Sequence, residues 1–332
     1  MFVLFCVQNG AYAEPAREFY LENGMKIIVK EDHRAPVAVH MVWYRTGSMD
    51  ETNGTTGVAH VLEHMMFKGT PKYPEGSLSK TVAKLGGKDN AFTNTDYTAY
   101  FQQIPKNSLE KMMEMEADRM SNLQFANSDF EKEIRVVMEE RRWRTDDQPE
   151  GRVDEALRAA AFVAHPYHWP VIGWMNDLQN MTVEDARNWY ERWYAPNNAI
   201  MVVVGDVDAF AVRNMANKYF GKIRPKKIVP VKPQLEPEQL GPKRVAVSAP
   251  AENPMVVLAY KVPALRDVEK DDDVYALDVL ASVLDGYDNA RLPASLVRKE
   301  RIALSVGTDY SALSRGPALF VLQGIPAKGV TV

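Results

Sequence analysis

Cysteine is almost absent from this chain. Among 332 residues there is one, Cys6, so neither an intrachain disulfide nor a cysteine-built zinc site can form. Excess basic charge is absent too. Forty Lys and Arg stand against 44 Asp and Glu, for a formal net charge of −4, and no basic field of the kind that draws nucleic acid is present. No apolar run is long enough to span a bilayer, so no integral membrane segment is expected. Histidine is scarce, with six in the chain. What remains is an ordinary globular composition, 46% hydrophobic and 25% charged, at a length that suits two domains better than one.

The short run FVLFCV near the start is followed by Ala11-Tyr12-Ala13, a small-x-small pattern of the type read by signal peptidase. Residues 1–13 therefore read as the remnant of a signal peptide whose start has been trimmed, the other reading being a plain N-terminal strand. The bulky Leu4-Phe5 argues against Cys6 as a lipidation site. Removal of this segment would leave a cysteine-free chain, which suits an exported and periplasmic protein.

Further along, EFYLENGMKIIVK (18–30) predicts a hairpin turning at Asn23-Gly24, and VAVHMVWY (37–44) a third strand. Residues 45–57 read as loop, 58–68 as helix, and 77–87 as a short helix stopped by two glycines. The β-branched and aromatic run 90–104 predicts one long strand. Helices are expected at 107–124, 128–144 and 150–164, and another from Thr182 to Tyr194, opened by a Thr182–Asp185 cap. A buried strand (198–207) and a helix (208–220) follow. Prolines at 225, 230, 233, 237 and 242 then mark an extended linker.

Beyond the linker the order restarts. MVVLAYKVP (255–263) resembles AVHMVWYRTG, and SVGTDYSALSRGPALFVLQGIP (305–326) echoes NAFTNTDYTAYFQQIP (90–105). The expected organisation is α+β. It comprises an N-terminal domain over 14–224, a linker over 225–243, and a related C-terminal domain over 244–332 whose second copy is cut short. Each domain would be a mostly antiparallel sheet covered by helices.

The chemistry-bearing stretch is HVLEHMMFKG (60–69). His60 and His64 are four apart on the expected helix, so both can aim a ring nitrogen at one ion. Glu63 lies one step around from His64, close enough to take a proton from a metal-bound water. A catalytic zinc needs three protein ligands and one open position, so HxxEH supplies two ligands and a base, the order known from inverzincins. The third ligand must come from elsewhere, either another histidine or a carboxylate on a packed helix. On the helix 128–144, Glu133 and Glu140 are seven apart and share a face, while Glu139 points about 100° away from Glu140.

The surrounding text resembles the pitrilysin or insulinase family of zinc metallopeptidases, in the branch related to mitochondrial processing peptidase. The matching stretches are LENGMKIIVKEDHRAPVA, GSMDETNGTTGVAHVLEHMMFKGT, GGKDNAFTNTDYTAY, VVMEERR, AHPYHWPVIGW and WYAPNNAIMVVVGDVD. The resemblance implies one zinc per chain on His60, His64 and Glu140, with Glu63 as general base and Glu133 supporting the site. It also implies that Asn90, Ala91 and Phe92 open the edge strand on which an extended peptide substrate is added as a further strand. From their residues alone, 90–104 would read as a core strand.

One departure stands out. Where the family carries Arg and Tyr in text like LREKRGLAYSV, this chain has LVRKERIALSV (296–306), with Val297 and Leu304 at those positions. Arg298 or Tyr310 could serve only with a shift of register. This implies a homologous sister subunit that supplies the Arg/Tyr pair to a zinc-bearing partner. The rival expectations are a non-catalytic assembly subunit of the same fold and a closed structural zinc site drawing a fourth ligand from His165 or His168.

Overall fold

The computed structural model describes residues 15–331, so the expected signal segment 1–13 lies outside the described residues. In chain order the elements are β1 (Arg17–Tyr20), β2 (Lys26–Glu31), β3 (Val37–Tyr44), α1 (Val58–Met65), α2 (Ser77–Lys84), β4 (Lys88–Thr93), β5 (Thr98–Pro105), α3 (Leu109–Asn122) and α4 (Asn127–Arg141). There follow α5 (Pro149–Ala161), α6 (Met175–Asn180), α7 (Val183–Trp193), β6 (Ala199–Gly205), α8 (Ala209–Tyr219), β7 (Val256–Val262), α9 (Asp272–Asp285), β8 (Ala303–Tyr310) and β9 (Ala318–Pro326). The chain packs into two compact units. Among the described residues, one holds 15–46 with Ala59–Glu133 and Thr182–Pro230; the other holds Gly47–Val58, Ile134–Met181 and 231–331.

The first unit is built on a six-stranded sheet in the order β1-β2-β6-β3-β5-β4. All its pairings are antiparallel except β2 with β6. The expected hairpin turns at Gly24, whose φ of +86° is the left-handed conformation that glycine adopts without penalty. Strand β3 forms over the expected residues and alternates in burial: Ala38, His40, Val42 and Tyr44 are buried and the residues between them are less so. The capping box of Thr182 with Asp185 forms as expected, each side chain meeting the other's backbone N–H.

Residues 90–104 are not one strand. They break at Asn94–Tyr97 into the antiparallel hairpin β4–β5, closed by the Asn94 N–H donating to the Tyr97 carbonyl at 2.8 Å. The polar Asn-Thr-Asp cluster inside an apolar run is the turn signal that the aromatic residues on either side mask. The fold makes β4 the edge of the sheet.

A buried polar chain crosses the helix-covered face of this sheet. His40 Nδ1 donates to Gln102 Oε1 (2.8 Å), Gln102 Nε2 to Glu116 Oε2 (3.1 Å), and Arg119 Nη2 to both Glu116 oxygens (2.9 and 2.6 Å). Burial pushes the His40 pKa down, so the ring is neutral and donates through Nδ1 because the Gln102 oxygen can only accept. Beside it, Tyr44 stacks on Tyr194 at 3.9 Å and Tyr100 shares a 2.8 Å hydroxyl bond with Tyr194.

The second unit holds a three-stranded antiparallel sheet in the order β7-β9-β8 with α9 against β8. Its connectivity repeats that of β3-β5-β4: a strand, a helical segment, then a hairpin whose second strand inserts between the first strand and its own partner. The echo in the sequence is therefore an echo in topology, with β5 and β9 both ending in Ile-Pro. Residues 224–255 form neither helix nor strand, and they are tied down. Asn197 pairs with both backbone groups of Lys226 (2.8 and 3.0 Å) in the first unit. In the second, Glu236 accepts from the N–H groups of Val163, Ala164 and His165 and from Lys261 Nζ.

Candidate metal centre

Helix α1 is short and amphipathic. Val58, Ala59, Val61, Leu62 and Met65 are buried, which turns His60, Glu63 and His64 to the opposite side, where they are less tightly enclosed. The loop that feeds the helix is rigidly framed. Asp177 Oδ2 accepts from Gly54 N–H, Thr56 N–H and Thr56 Oγ1 (3.2, 3.1 and 2.6 Å), and Glu51 Oε2 accepts from Gly57 N–H at 2.7 Å. Gly57 and Gly173 cross backbone to backbone, both at positive φ. A Cβ on Gly57 would lie 2.5 Å from the Ile172 carbonyl, and one on Gly173 2.3 Å from that of Thr56. Only glycine permits this approach.

One turn apart, the imidazoles of His60 and His64 face each other edge to face, with centroids 4.9 Å apart. His64 Nδ1 donates to Glu133 Oε2 at 3.1 Å, because a carboxylate flanked by an ammonium can only accept. That ammonium is Lys68, whose Nζ lies 2.7 Å from the other Glu133 oxygen. The pair fixes the ring orientation and makes Nε2 the His64 atom that could bind an ion. Glu140 follows two turns later on the same helix as Glu133, about 10 Å along the axis. Ligand atoms of His60, His64 and Glu140 all lie within 4.8 Å of one another. Donors about 2.1 Å from one tetrahedral ion are separated by about 3.4 Å, so small side-chain rotations close this set. Two imidazoles and a carboxylate suit zinc, and three ligands leave a coordination position open. Glu140 Oε1 also meets Arg144 Nη1 at 2.8 Å, whereas Glu139 is exposed and pairs with Arg142.

Glu63 reaches the edge strand. Its Oε2 accepts from Thr93 Oγ1, the last residue of β4, at 2.5 Å. The three residues expected to receive substrate precede Thr93 on that strand. Asn90 is exposed, with Oδ1 accepting from the Ala91 N–H at 2.9 Å. Ala91 is buried, and Phe92 packs edge to face on Trp43 at 5.4 Å.

The residues weighed as a fourth ligand are engaged elsewhere. His165 Nδ1 accepts from the Tyr167 N–H at 3.2 Å, and His168 Nδ1 meets the His165 carbonyl at 2.8 Å. Of the residues weighed as a stand-in for the Arg/Tyr pair, Tyr310 donates its hydroxyl to the Pro263 carbonyl at 2.8 Å. Val297 lies in the π-helical turns Pro293–Lys299, and Leu304 is half-exposed on β8. Lys68, Thr93 and Asp177 were not singled out from the sequence. Thr93 immediately follows the matched Asn90–Phe92, which is the one local hint it offers, and Asp177 carries no motif at all.

The chain is similar to known proteins of one family. The insulinase family, Peptidase family M16, matches residues 26–173, and the Peptidase M16 inactive domain matches residues 180–329. The zinc protease PqqE of Helicobacter pylori is 38% identical over 311 residues, covering 92% of this chain and 69% of that protein. The crystal structure of a protease from Helicobacter pylori superposes with a TM-score of 0.89 at 34% identity, covering 95% of this chain and 76% of that one. The periplasmic protease PqqL from Escherichia coli shares the fold, with a TM-score of 0.77 at 21% identity over 94% of this chain and 35% of that one.

Proposed function

The chain belongs to the insulinase family of peptidases, M16, among relatives that are zinc proteases, and from that membership we propose that it is a zinc-dependent endopeptidase acting on extended or unfolded peptides. The observation that carries the reading is the convergence of His60, His64 and Glu140 within 4.8 Å, with Glu63 beside His64 and hydrogen-bonded to the edge strand. His60, His64 and Glu140 would hold one zinc per chain, which when bound polarises the scissile carbonyl and makes water nucleophilic at neutral pH. Glu63 takes the proton of the attacking water and returns it to the leaving amine. Glu133 orients His64 through its Nδ1–H and is itself held by Lys68. Asn90, Ala91 and Phe92 receive the substrate along the open edge of β4. Backbone pairing there holds a peptide with little regard to its sequence, and only an extended chain can supply it.

Val297 and Leu304 at the Arg and Tyr positions support a paired arrangement, in which a homologous sister subunit supplies those two side chains. The proline-rich stretch 225–243 would be the linker between a peptidase domain over 14–224 and a non-catalytic repeat over 244–332. The small-x-small pattern at Ala11–Ala13 supports export to the periplasm, and among the described residues no helix is long and apolar enough to cross a membrane.

The test is cleavage of an internally quenched extended peptide by the zinc-loaded chain, alone and with a homologous partner, beside Glu63→Gln. Zinc-dependent cleavage that disappears in Glu63→Gln is the expected result. Cleavage that survives the substitution, or zinc bound with no cleavage in either condition, would overturn it and favour an assembly role.

A further inference from the structure

We infer that Thr93 is a positioning residue for the general base, tying Glu63 to the strand on which substrate is added. The inference rests on the peptidase reading above. A glutamate at the end of a two-carbon stem can swing, yet as a base it must present one chosen oxygen to water. Glu63 projects from the polar side of α1, and no motif spacing constrains its terminal torsion. The Thr93 hydroxyl does constrain it. Thr93 Oγ1 donates to Glu63 Oε2 at 2.5 Å.

The donor is itself well fixed. Thr93 pairs with Thr98 as the last rung of the β4–β5 ladder, immediately before the Asn94–Tyr97 turn. Thr98 is fully buried and donates to the Thr46 carbonyl at 3.1 Å, so the turn end of the hairpin cannot drift. Next to Thr93, Phe92 packs on both Trp43 and Tyr97, at 5.4 and 6.1 Å. The strand that would receive the peptide backbone and the carboxylate that would act on it are thus tied to each other through the Thr93 hydroxyl. Such a link sets the depth of the scissile bond relative to the base, and this is the kind of geometric control on which near-attack alignment depends.

The experiment compares wild type, Thr93→Val, Thr93→Ser and the double variant Glu63→Gln/Thr93→Val, all zinc-loaded, in whichever condition, alone or partnered, the wild type cleaves the quenched peptide. Valine keeps the shape and strand preference of threonine and removes the hydroxyl. The expected result is a kcat for Thr93→Val lower by between about tenfold and 100-fold with KM unchanged. Serine would restore kcat to within about threefold of wild type, and the double variant would be no slower than Glu63→Gln alone. Zinc affinity by chelator competition and the unfolding midpoint would match wild type in Thr93→Val. A wild-type kcat in Thr93→Val would overturn the inference while leaving the peptidase reading intact. So would a loss that serine does not rescue, or one accompanied by an equal loss of zinc. A wild-type chain that cleaves in neither condition overturns both.

Discussion

The Glu133 carboxylate bridges His64 and Lys68, with one oxygen 3.1 Å from the imidazole Nδ1 and the other 2.7 Å from the ammonium. A single acidic side chain thereby orients a candidate ligand and has its own charge compensated. Because Nδ1–H is occupied by Glu133, the ring can offer only Nε2 to an ion. Glu133→Ala should therefore weaken zinc binding by about 10- to 100-fold while leaving all three ligand side chains in the protein. Competition against a calibrated chelator measures this, and an unchanged affinity would show that packing alone holds the ring.

Zinc should stabilise the folded chain, since the three ligand atoms converge only when α1 and α4 are packed. Saturating zinc at about 1,000 times its dissociation constant would add about 4 kcal/mol. Glu140→Gln, which removes the one anionic ligand, should abolish most of that gain while the metal-free midpoint changes little. Melting curves with and without zinc separate the two contributions.

The crossing of Gly57 and Gly173 predicts intolerance of any side chain at the entrance to α1. Gly57→Ala must hold alanine at φ +88° and push its methyl to 2.5 Å from a backbone carbonyl. The cost should be at least about 2 kcal/mol, and because the displaced segment leads directly into His60, zinc affinity should fall with it. Chemical denaturation and metal titration of the same variant would check both effects.

In the core of the first unit, Arg119→Met should be severely destabilising. Glu116 is fully buried, and without the guanidinium only Gln102 would face its charge. Breaking one side of such a pair costs about 3–5 kcal/mol. The double variant Arg119→Met/Glu116→Leu should recover much of the loss, as measured by urea unfolding.

Glu236 gives the chain an acid-sensitive fastening. Burial pushes its carboxyl pKa up, but the Lys261 ammonium and the amides of His165, Val163 and Ala164 outweigh that and hold it at about 2, against 4.5 for an unperturbed group. A group depressed in the folded state stabilises it above the unfolded value and loses that contribution as pH falls through the folded one. The stability difference between wild type and Glu236→Gln should thus be full above pH 5. It should shrink as pH falls from about 4.5 to about 2. Equilibrium unfolding of the two proteins across that range tests it; a difference independent of pH would mean that the carboxylate charge is not what fastens the segment.

Much of this molecule is legible from its order of residues, because it depends on short-range periodicity. The four-residue spacing puts His60 and His64 on one face of a helix wherever that helix sits, and the seven-residue spacing does the same for Glu133 and Glu140. Strand β3 coincides with the β-rich apolar run Val37–Tyr44, and Thr182 caps its helix through a partner three residues away. The restart after the linker is visible as text before it is visible as a second strand-helix-hairpin.

What the sequence could not decide involves residues far apart along the chain. The strand expected at 90–104 is a hairpin that turns at the polar Asn94–Tyr97, a signal masked by the aromatics on either side, and its place in the sheet order is set by pairing with distant strands. His64 finds Glu133 across 69 residues and Glu63 finds Thr93 across 30, with no spacing rule to announce either contact. Helical periodicity fixes which face a side chain occupies, but the partner that face meets is chosen by how the sheet is ordered and how the helices pack on it. For that reason the metal ligands and the supporting Glu133 could be proposed from spacing and resemblance, while the bridge that Glu133 makes between His64 and Lys68, and the hydroxyl that holds the base, came into view only in the folded chain.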